Sequence, residues 1–335
     1  MKLAVLGTGK IVTEALVAMA PIEEISINAI FARPHSKNKA EGFAEKYSIK
    51  SIFTDYDELI KNADIDTVYI GLINSVHYEY AKKALENNLN VILEKPFVGK
   101  LSEAIELAEI AKAHNCFLFE AITVLHNEVF NKMKTDLPKL GNIKMVIANY
   151  SQYSSRYDRY LNGDVDYSFD PNSLGGSLRD INIYNIHYVA ALLGLPENVQ
   201  YFPNRGFNGI DTSGALVLTY PTFTAVCIGA KDSDSPCFVS VQGEKGYMKI
   251  DGKPNTAPNL TVVTYDSADD STEKDSSGSK VRAAAVDEFI PKPVHHRMTQ
   301  EFKDFARIIA ENDIAAANNY LEESLDVMRI LDSAF

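Results

Sequence analysis

Lys2-Leu3-Ala4-Val5-Leu6-Gly7-Thr8-Gly9-Lys10-Ile11-Val12, residues 2–12, is the stretch whose reading decides the fold. The apolar run Leu3–Leu6 stops at Gly7, and a helix-period segment, Ile11–Met19, follows two residues after Gly9. A strand, a glycine turn and a helix in that order open a βαβ unit. In such a turn the first glycine bends the chain tightly and the second lets backbone approach a pyrophosphate seated on the helix N-terminus. Gly7, Thr8, Gly9, Lys10 and Ile11 are therefore candidate dinucleotide-binding residues. The third glycine of the pattern serves helix–strand packing, and Val12 stands in its place, which weakens the motif without removing the anion site. The same apolar start could pass for a signal peptide, but it stops at Gly7 and no cleavage pattern follows, so a first strand is expected.

Working outward, strands are expected at Leu3–Leu6, Ile25–Phe31, Lys50–Phe53, Thr67–Ile70, Asn90–Leu93 and Cys116–Phe119. Helix-period segments lie between them at Lys37–Tyr47, Val76–Asn87 and Leu101–His114. That alternation predicts an α/β fold, a doubly wound parallel sheet covered on both faces. After Gly141 the texture changes to longer alternating strands (Ile143–Tyr153, Gly214–Tyr220, Phe223–Ala230, Phe238–Gly243), as in an α+β unit with an open, mostly antiparallel sheet. The expected division is a dinucleotide-binding domain over 1–122 and a substrate-binding, oligomer-forming domain over 123–335. Asp266–Lys280, rich in Ser and Asp, reads as a solvated loop, and helices about Met298–Glu311 and Ile314–Ser333 end the chain.

The bulk numbers agree with a globular chain. Its 335 residues exceed one ordinary core, so two domains are the default. A net charge of −12 with no basic run argues against nucleic acid and anionic membrane surfaces as partners. No run reaches transmembrane length. Cys116, Cys227 and Cys237 lack metal-ligand spacing and read as reduced thiols of a cytoplasmic protein. His295-His296 cannot face one site and no cysteine joins them, so no metal site is expected.

An NAD-preferring site would usually carry Asp or Glu where the second strand ends, but the chain reads Ala29-Ile30-Phe31-Ala32-Arg33-Pro34. Arg33, with His35, Ser36 and Lys37 beyond it, offers charge and hydroxyl donors to a 2′-phosphate. NADP is therefore preferred over NAD; the alternative, Arg33 stacked on adenine or turned to solvent, leaves NAD possible. Glu94-Lys95-Pro96 closes the run Val91-Ile92-Leu93, at a carboxyl strand end where such sheets bind ligands. Asn74 and His77, after the fourth strand, share that crevice: Asn74 as a partner for nicotinamide or ribose, His77 as a helix cap or substrate contact.

Asp180, Tyr184 and His187 fall at i, i+4 and i+7 and would share one helix face. An unpaired buried Asp is costly, so an acid and a phenol on one stripe suit a polar cleft. His187 is either a substrate contact or a satisfied structural histidine. Tyr153–Asn172, rich in Tyr, Arg and Asp (Tyr153, Arg156, Tyr157, Arg159, Tyr160, Tyr167), is either a lid over substrate or a solvated loop. As a lid, Arg156 and Tyr157 would contact substrate.

These segments together resemble the glucose–fructose oxidoreductase/inositol dehydrogenase (Gfo/Idh/MocA) family of NAD(P)-dependent oxidoreductases. The resemblance runs from Gly7-Thr8-Gly9 and Ala32-Arg33 through Asn74-Ser75-Val76-His77 and Leu93-Glu94-Lys95-Pro96. It ends on Gly175-Gly176-Ser177-Leu178-Arg179-Asp180-Ile181-Asn182-Ile183-Tyr184. It implies that Lys95 is the catalytic lysine, that Asp180 contacts or orients substrate, and that Tyr184 stands where members carry His or Tyr as acid/base. Tyrosine there is similar to the dihydrodiol-dehydrogenase branch. The resemblance also implies a homodimer or larger homo-oligomer. Val12, Asn182 (for a usual Gly) and Ile73 (for a common Pro) depart from the pattern, as does Ala121–His126, which lacks an Arg-Phe pair.

Hydride transfer to a carbonyl leaves charge on oxygen that must be protonated or stabilised. A free tyrosine titrates near ~10, and a neighbouring ammonium lowers that value. Lys95 beside Tyr184 would supply this effect, with Glu94 holding Lys95 and Pro96 fixing the loop, whether or not through a cis bond. The expected activity is hydride transfer between nicotinamide and a hydroxyl/carbonyl carbon of a sugar, polyol or related small molecule. The alternative is a non-catalytic NAD(P)-binding regulator on the same fold.

Overall fold

The computed structural model describes residues 1–266 and 274–334. Its first half runs β1 (Lys2–Leu6), α1 (Lys10–Met19), β2 (Ser26–Phe31), α2 (Lys37–Tyr47), β3 (Ser51–Phe53) and α3 (Tyr56–Asn62). It continues with β4 (Thr67–Ile70), α4 (His77–Glu86), β5 (Asn90–Glu94), α5 (Leu101–Ala113) and β6 (Leu118–Ala121). These strands pair in parallel as one six-stranded sheet of order β3-β2-β1-β4-β5-β6. The order reverses between β1 and β4, and a crevice for ligand opens at their carboxyl ends. Leu3, Val5, Tyr69 and Ile92 are fully buried, as expected of strands covered on both faces.

Element ends differ modestly from expectation. β6 begins two residues later than expected, because the Asn90 side chain takes the Phe117 N–H at 2.8 Å before the ladder starts, and it extends to Ala121 opposite Glu94. α3 was not expected from the sequence. It is seven residues long, too short for a clear period, and Asp55 caps it by accepting the Glu58 N–H.

The second half contains α6 (Glu128–Asp136), β7 (Ile143–Ser151), α7 (Tyr157–Leu161), α8 (Ile183–Leu193), β8 (Asn198–Arg205), β9 (Asp211–Thr219) and β10 (Thr224–Ala230). Then come β11 (Phe238–Gly243), β12 (Gly246–Asp251), β13 (Leu260–Tyr265), β14 (Ala284–Phe289), α9 (Thr299–Glu311) and α10 (Ile314–Ser333). The eight strands form one sheet, β14-β13-β12-β11-β7-β10-β9-β8, antiparallel except for the β7–β10 pair. β8 and β14 escape a periodicity reading because both are largely exposed edge strands. The expected loop Asp266–Lys280 lies in part outside the described residues; its remaining stretch, 274–280, is exposed.

The terminal helices do not stay with the second sheet. α9 is strongly amphipathic and lays Phe302, Phe305 and Ile308 on the first sheet, in one cluster with Leu3, Val5, Val12 and Leu16. Phe302 meets Tyr69 edge-on at 5.4 Å, and Phe305 stacks on Phe119 at 4.6 Å. Truncating a fully buried phenylalanine such as Phe305 to Ala costs about 3–5 kcal/mol. The packing of α9 also carries Arg297, just before it, to the mouth of the crevice.

Candidate active site

A cleft of about 770 Å³ runs from the carboxyl ends of the first sheet across to the second sheet. At one end is the glycine turn. Gly7 has φ +116°, and a Cβ there would come within 2.7 Å of the Gly71 carbonyl oxygen, so glycine is required twice over. Gly9 is the N-cap of α1, with no side-chain cap bond and no acidic residue in the first turn. The orphan N–H groups of that turn therefore face the cleft unopposed, which suits a pyrophosphate. Val12, in place of the third glycine, is accommodated by a different one. A Cβ on Gly71, just past β4, would lie 2.7 Å from Val12 Cγ2, so the missing side chain at 71 makes the room.

At the end of β2, Arg33, Ser36 and Lys39 line the cleft, with no carboxylate among them. Lys37 does not line it; its ammonium turns to Glu41 one helical turn on, at 3.8 Å. Lys39 is the basic residue of α2 that the sequence reading passed over. It sits two positions further on, on the face turned to the cleft.

Lys95 stands at the carboxyl end of β5, followed by a cis Lys95–Pro96 peptide. Its Nζ donates to the Asp180 backbone oxygen at 2.6 Å and to Asp180 Oδ1 at 2.9 Å. It also lies 5.1 Å from the centre of the Tyr184 ring. Asp180 is presented by a π-helical turn, Leu178–Asn182, that runs directly into α8. That turn is held at its start by Asp211, which accepts the Leu178 N–H at 2.7 Å, and Gly176 (φ +103°) leaves the space for Asp211 to approach. Asn182, in place of a usual glycine, fits because β10 has Gly229 opposite it, where a Cβ would sit 2.6 Å from Asn182 Cβ. Ile73 takes φ −70°, the angle a proline would impose there.

The charges at this centre are coupled. Burial opposes ionisation of Asp180, but the ammoniums of Lys231 and Lys95 overcome it and hold the carboxyl well below its usual range. For Lys95 burial again works against charge, and Asp180 and Tyr184 reverse it, keeping the ammonium protonated. Tyr184 differs from the sequence expectation. Lys95 and Arg297 do pull its phenol down, but burial is larger and the net direction is up. In the ligand-free protein Tyr184 is thus a neutral proton donor. Glu94, hydrogen-bonded by Tyr69 at 2.7 Å, is pushed by burial up to about 7.

Several candidate residues lie elsewhere. His187 is fully buried and turned to Glu120 at 3.4 Å. At about 1.5 Å per residue it is roughly 10 Å deeper along the helix than Asp180, so depth removes it from the cleft. His77 is also fully buried, its ring between the carbonyls of Pro96 (3.1 Å), Phe97 (3.3 Å) and Leu72 (3.3 Å), where it ties the β4 and β5 loops together. Asn74 does line the cleft, and its amide donates across to the Leu174 carbonyl at 3.0 Å. Tyr157 packs on Tyr160 and Phe169 in a satellite core, whereas Arg156 and Tyr167 line the cleft. The segment carrying them is folded, with Arg156 paired to Asp166 at 3.1 Å. Lys231, Arg297, Tyr150, Gln152 and Asn255 also line the cleft and were not singled out from the sequence. Arg297 reaches Glu14 of α1 at 2.7 Å across most of the chain, a pairing no local pattern announces.

Known proteins share this architecture. A family profile described as "Oxidoreductase family, NAD-binding Rossmann fold" matches residues 1–122. The scyllo-inositol 2-dehydrogenase (NADP(+)) IolU of Bacillus subtilis is 31% identical over 334 residues, covering 100% of this chain and 96% of the relative. A trans-1,2-dihydrobenzene-1,2-diol dehydrogenase of Xenopus tropicalis is 26% identical, with 74% of each chain covered. The crystal structure of KijD10, a 3-ketoreductase from Actinomadura kijaniata in complex with NADP and TDP-benzene, superposes with a TM-score of 0.79. It is 19% identical and covers 100% of this chain and 96% of that one, a likeness of fold.

Proposed function

The chain belongs to the Gfo/Idh/MocA family of NAD(P)-dependent oxidoreductases, and on that premise we propose that Lys95, Tyr184 and Asp180 carry its reaction on a sugar, polyol or related small molecule. The protein is an oxidoreductase acting on CH–OH groups, as its relatives are. When bound, the dinucleotide supplies or accepts the hydride. The observation that carries the assignment is the Lys95 ammonium, gripped twice by Asp180 and poised over Tyr184 at a carboxyl strand end.

Lys95 has three N–H donors, and Asp180 takes two. The third is available to the substrate oxygen, where it stabilises negative charge as that charge develops. Tyr184, kept neutral by burial, gives its O–H proton to the same oxygen. In the oxidative direction the pull of Lys95 and Arg297 on the phenol favours its accepting that proton. Asp180 stays ionised throughout and acts as a fixed anion that aims Lys95.

NADP is the preferred dinucleotide in this reading. Arg33, Ser36 and Lys39 present donors without a carboxylate, and the Bacillus subtilis relative is named for NADP(+). Residues 1–122 form the nucleotide unit and 123–335 the substrate unit, with α9 and α10 reaching back to the first. We assign a homo-oligomer contact to the half-exposed face of the second sheet that carries Met145, Ile147, Val226 and Ile228. The unpaired thiols of Cys116, Cys227 and Cys237 fit a cytoplasmic setting.

The test is a fluorescence titration with NADPH and NADH, followed by a screen of aldoses, ketoses, polyols and dicarbonyls for absorbance change at the nicotinamide band. Turnover that falls by at least about 10²-fold in Lys95→Met, with NADPH binding retained, supports the assignment. Turnover that survives the substitution refutes it.

A further inference from the structure

A second lysine enters the same carboxylate from the opposite side. Lys231 follows β10 directly and is 3% exposed, yet it lines the cleft. Its Nζ lies 2.7 Å from Asp180 Oδ2, donates to the Ser168 carbonyl at 2.6 Å, and sits 4.4 Å from the centre of the Phe169 ring. Asp180 is thereby divided, Oδ1 to Lys95 and Oδ2 to Lys231. A buried ammonium costs several kcal/mol unless it is paired, and an apolar side chain would fill the same space at no such cost. The lysine must therefore be explained by what it does to its partner.

We propose that Lys231 is a positioning residue of the reaction: it keeps Asp180 ionised and aimed, so that Asp180 can hold Lys95 toward the substrate oxygen. This rests on the role given to Lys95 above. With two cations on one carboxylate, a proton cannot compete for either oxygen. With Lys95 alone, Oδ2 is left in a poorly solvated place, and protonation there would loosen the grip on Lys95. The charged and titratable groups around the pair are few. Asp180 faces Lys95 from the end of β5, Lys231 from the end of β10 and Tyr184 from the following helix. Lys231 also feels Asp211 of β9, whose own carboxylate is taken by the Leu178 N–H and the Tyr201 hydroxyl.

The experiment compares wild type, Lys231→Met and Lys231→Arg in two readouts. One is the pH profile of kcat/KM. The other is carboxyl carbon NMR of aspartate-labelled, ligand-free protein, with Asp180 assigned by its loss in Asp180→Asn. In Lys231→Met the profile should gain an acid limb, falling about tenfold per pH unit, and the Asp180 carboxyl should titrate at a pH where the wild-type signal is flat. Lys231→Arg should restore both. An unchanged acid limb together with a flat Asp180 signal in Lys231→Met overturns the proposal. If Lys231→Met does not fold, the double variant Asp180→Asn/Lys231→Met decides. It should be more stable than Lys231→Met, because each charge exists to answer the other; equal or lower stability overturns the proposal. The NMR and stability readouts need no substrate, so a failure to find turnover would count against the proposed function and leave this inference to be judged on the titration.

Discussion

Glu94→Gln is the perturbation whose consequence follows furthest from the structure. Glu94 is 4% exposed, accepts the Tyr69 hydroxyl, and shares its interior with Glu301, which is 1% exposed. Burial raises its carboxyl from 4.5 to about 7, against the opposing pull of Tyr69, Lys95 and Arg297. The folded protein thus holds a proton that the unfolded chain has already released. Stability from this group is complete below about pH 4.5 and is lost as pH rises through about 7. At about 1.4 kcal/mol per pH unit the whole loss is about 3 kcal/mol, most of it between pH 5 and pH 8. Gln preserves an acceptor for Tyr69 and cannot titrate. Urea denaturation of both proteins across that range should show wild type losing about 2–3 kcal/mol more than Glu94→Gln. Taking the difference between the proteins cancels groups common to both, Glu301 included. Identical pH dependence in the two proteins would refute the argument that burial dominates at Glu94.

Other substitutions test other parts of the site. Gly71→Ala places a methyl 2.7 Å from Val12 Cγ2 and 3.2 Å from Tyr69 Cε1, which should cost about 1–3 kcal/mol in thermal or urea unfolding. Val12→Ala in the same chain should recover most of that loss; no recovery would mean that the two residues do not share the space. Arg33→Ala should weaken NADPH binding about tenfold to a hundredfold by fluorescence titration, the worth of a lost charge-assisted bond. NADH binding should be nearly unchanged, and an equal loss for both nucleotides would contradict the 2′-phosphate assignment.

What could be read from the sequence and what could not divides along physical lines. β1, β4 and β5 were legible because strands buried on both faces are continuous apolar runs. The glycine turn was legible because Gly7 has to bend with positive φ. Asp180 and Lys95 stood out because charges at a strand end or on an apolar helix invite explanation. The rest depends on three-dimensional placement. A lone lysine after β10 does not announce that its partner is Asp180, and Arg297 meets Glu14 only because α9 folds back over the first sheet. His187 shares a stripe with Tyr184 in sequence, but periodicity carries no information about depth along the helix. The direction of the Tyr184 shift was missed for the same reason, since burial, which outweighs the lysine, cannot be read from spacing.

The central claim is that Tyr184 gives the proton and Lys95 steadies the oxygen that receives it. It is tested most directly by measuring NADPH oxidation by Tyr184→Phe under saturating carbonyl substrate, alongside NADPH affinity. The phenyl ring preserves the packing against Tyr150, 5.8 Å away, and removes only the hydroxyl. The account predicts a fall in kcat of about 10²–10⁴-fold with the NADPH Kd unchanged. A kcat within a few-fold of wild type would contradict it.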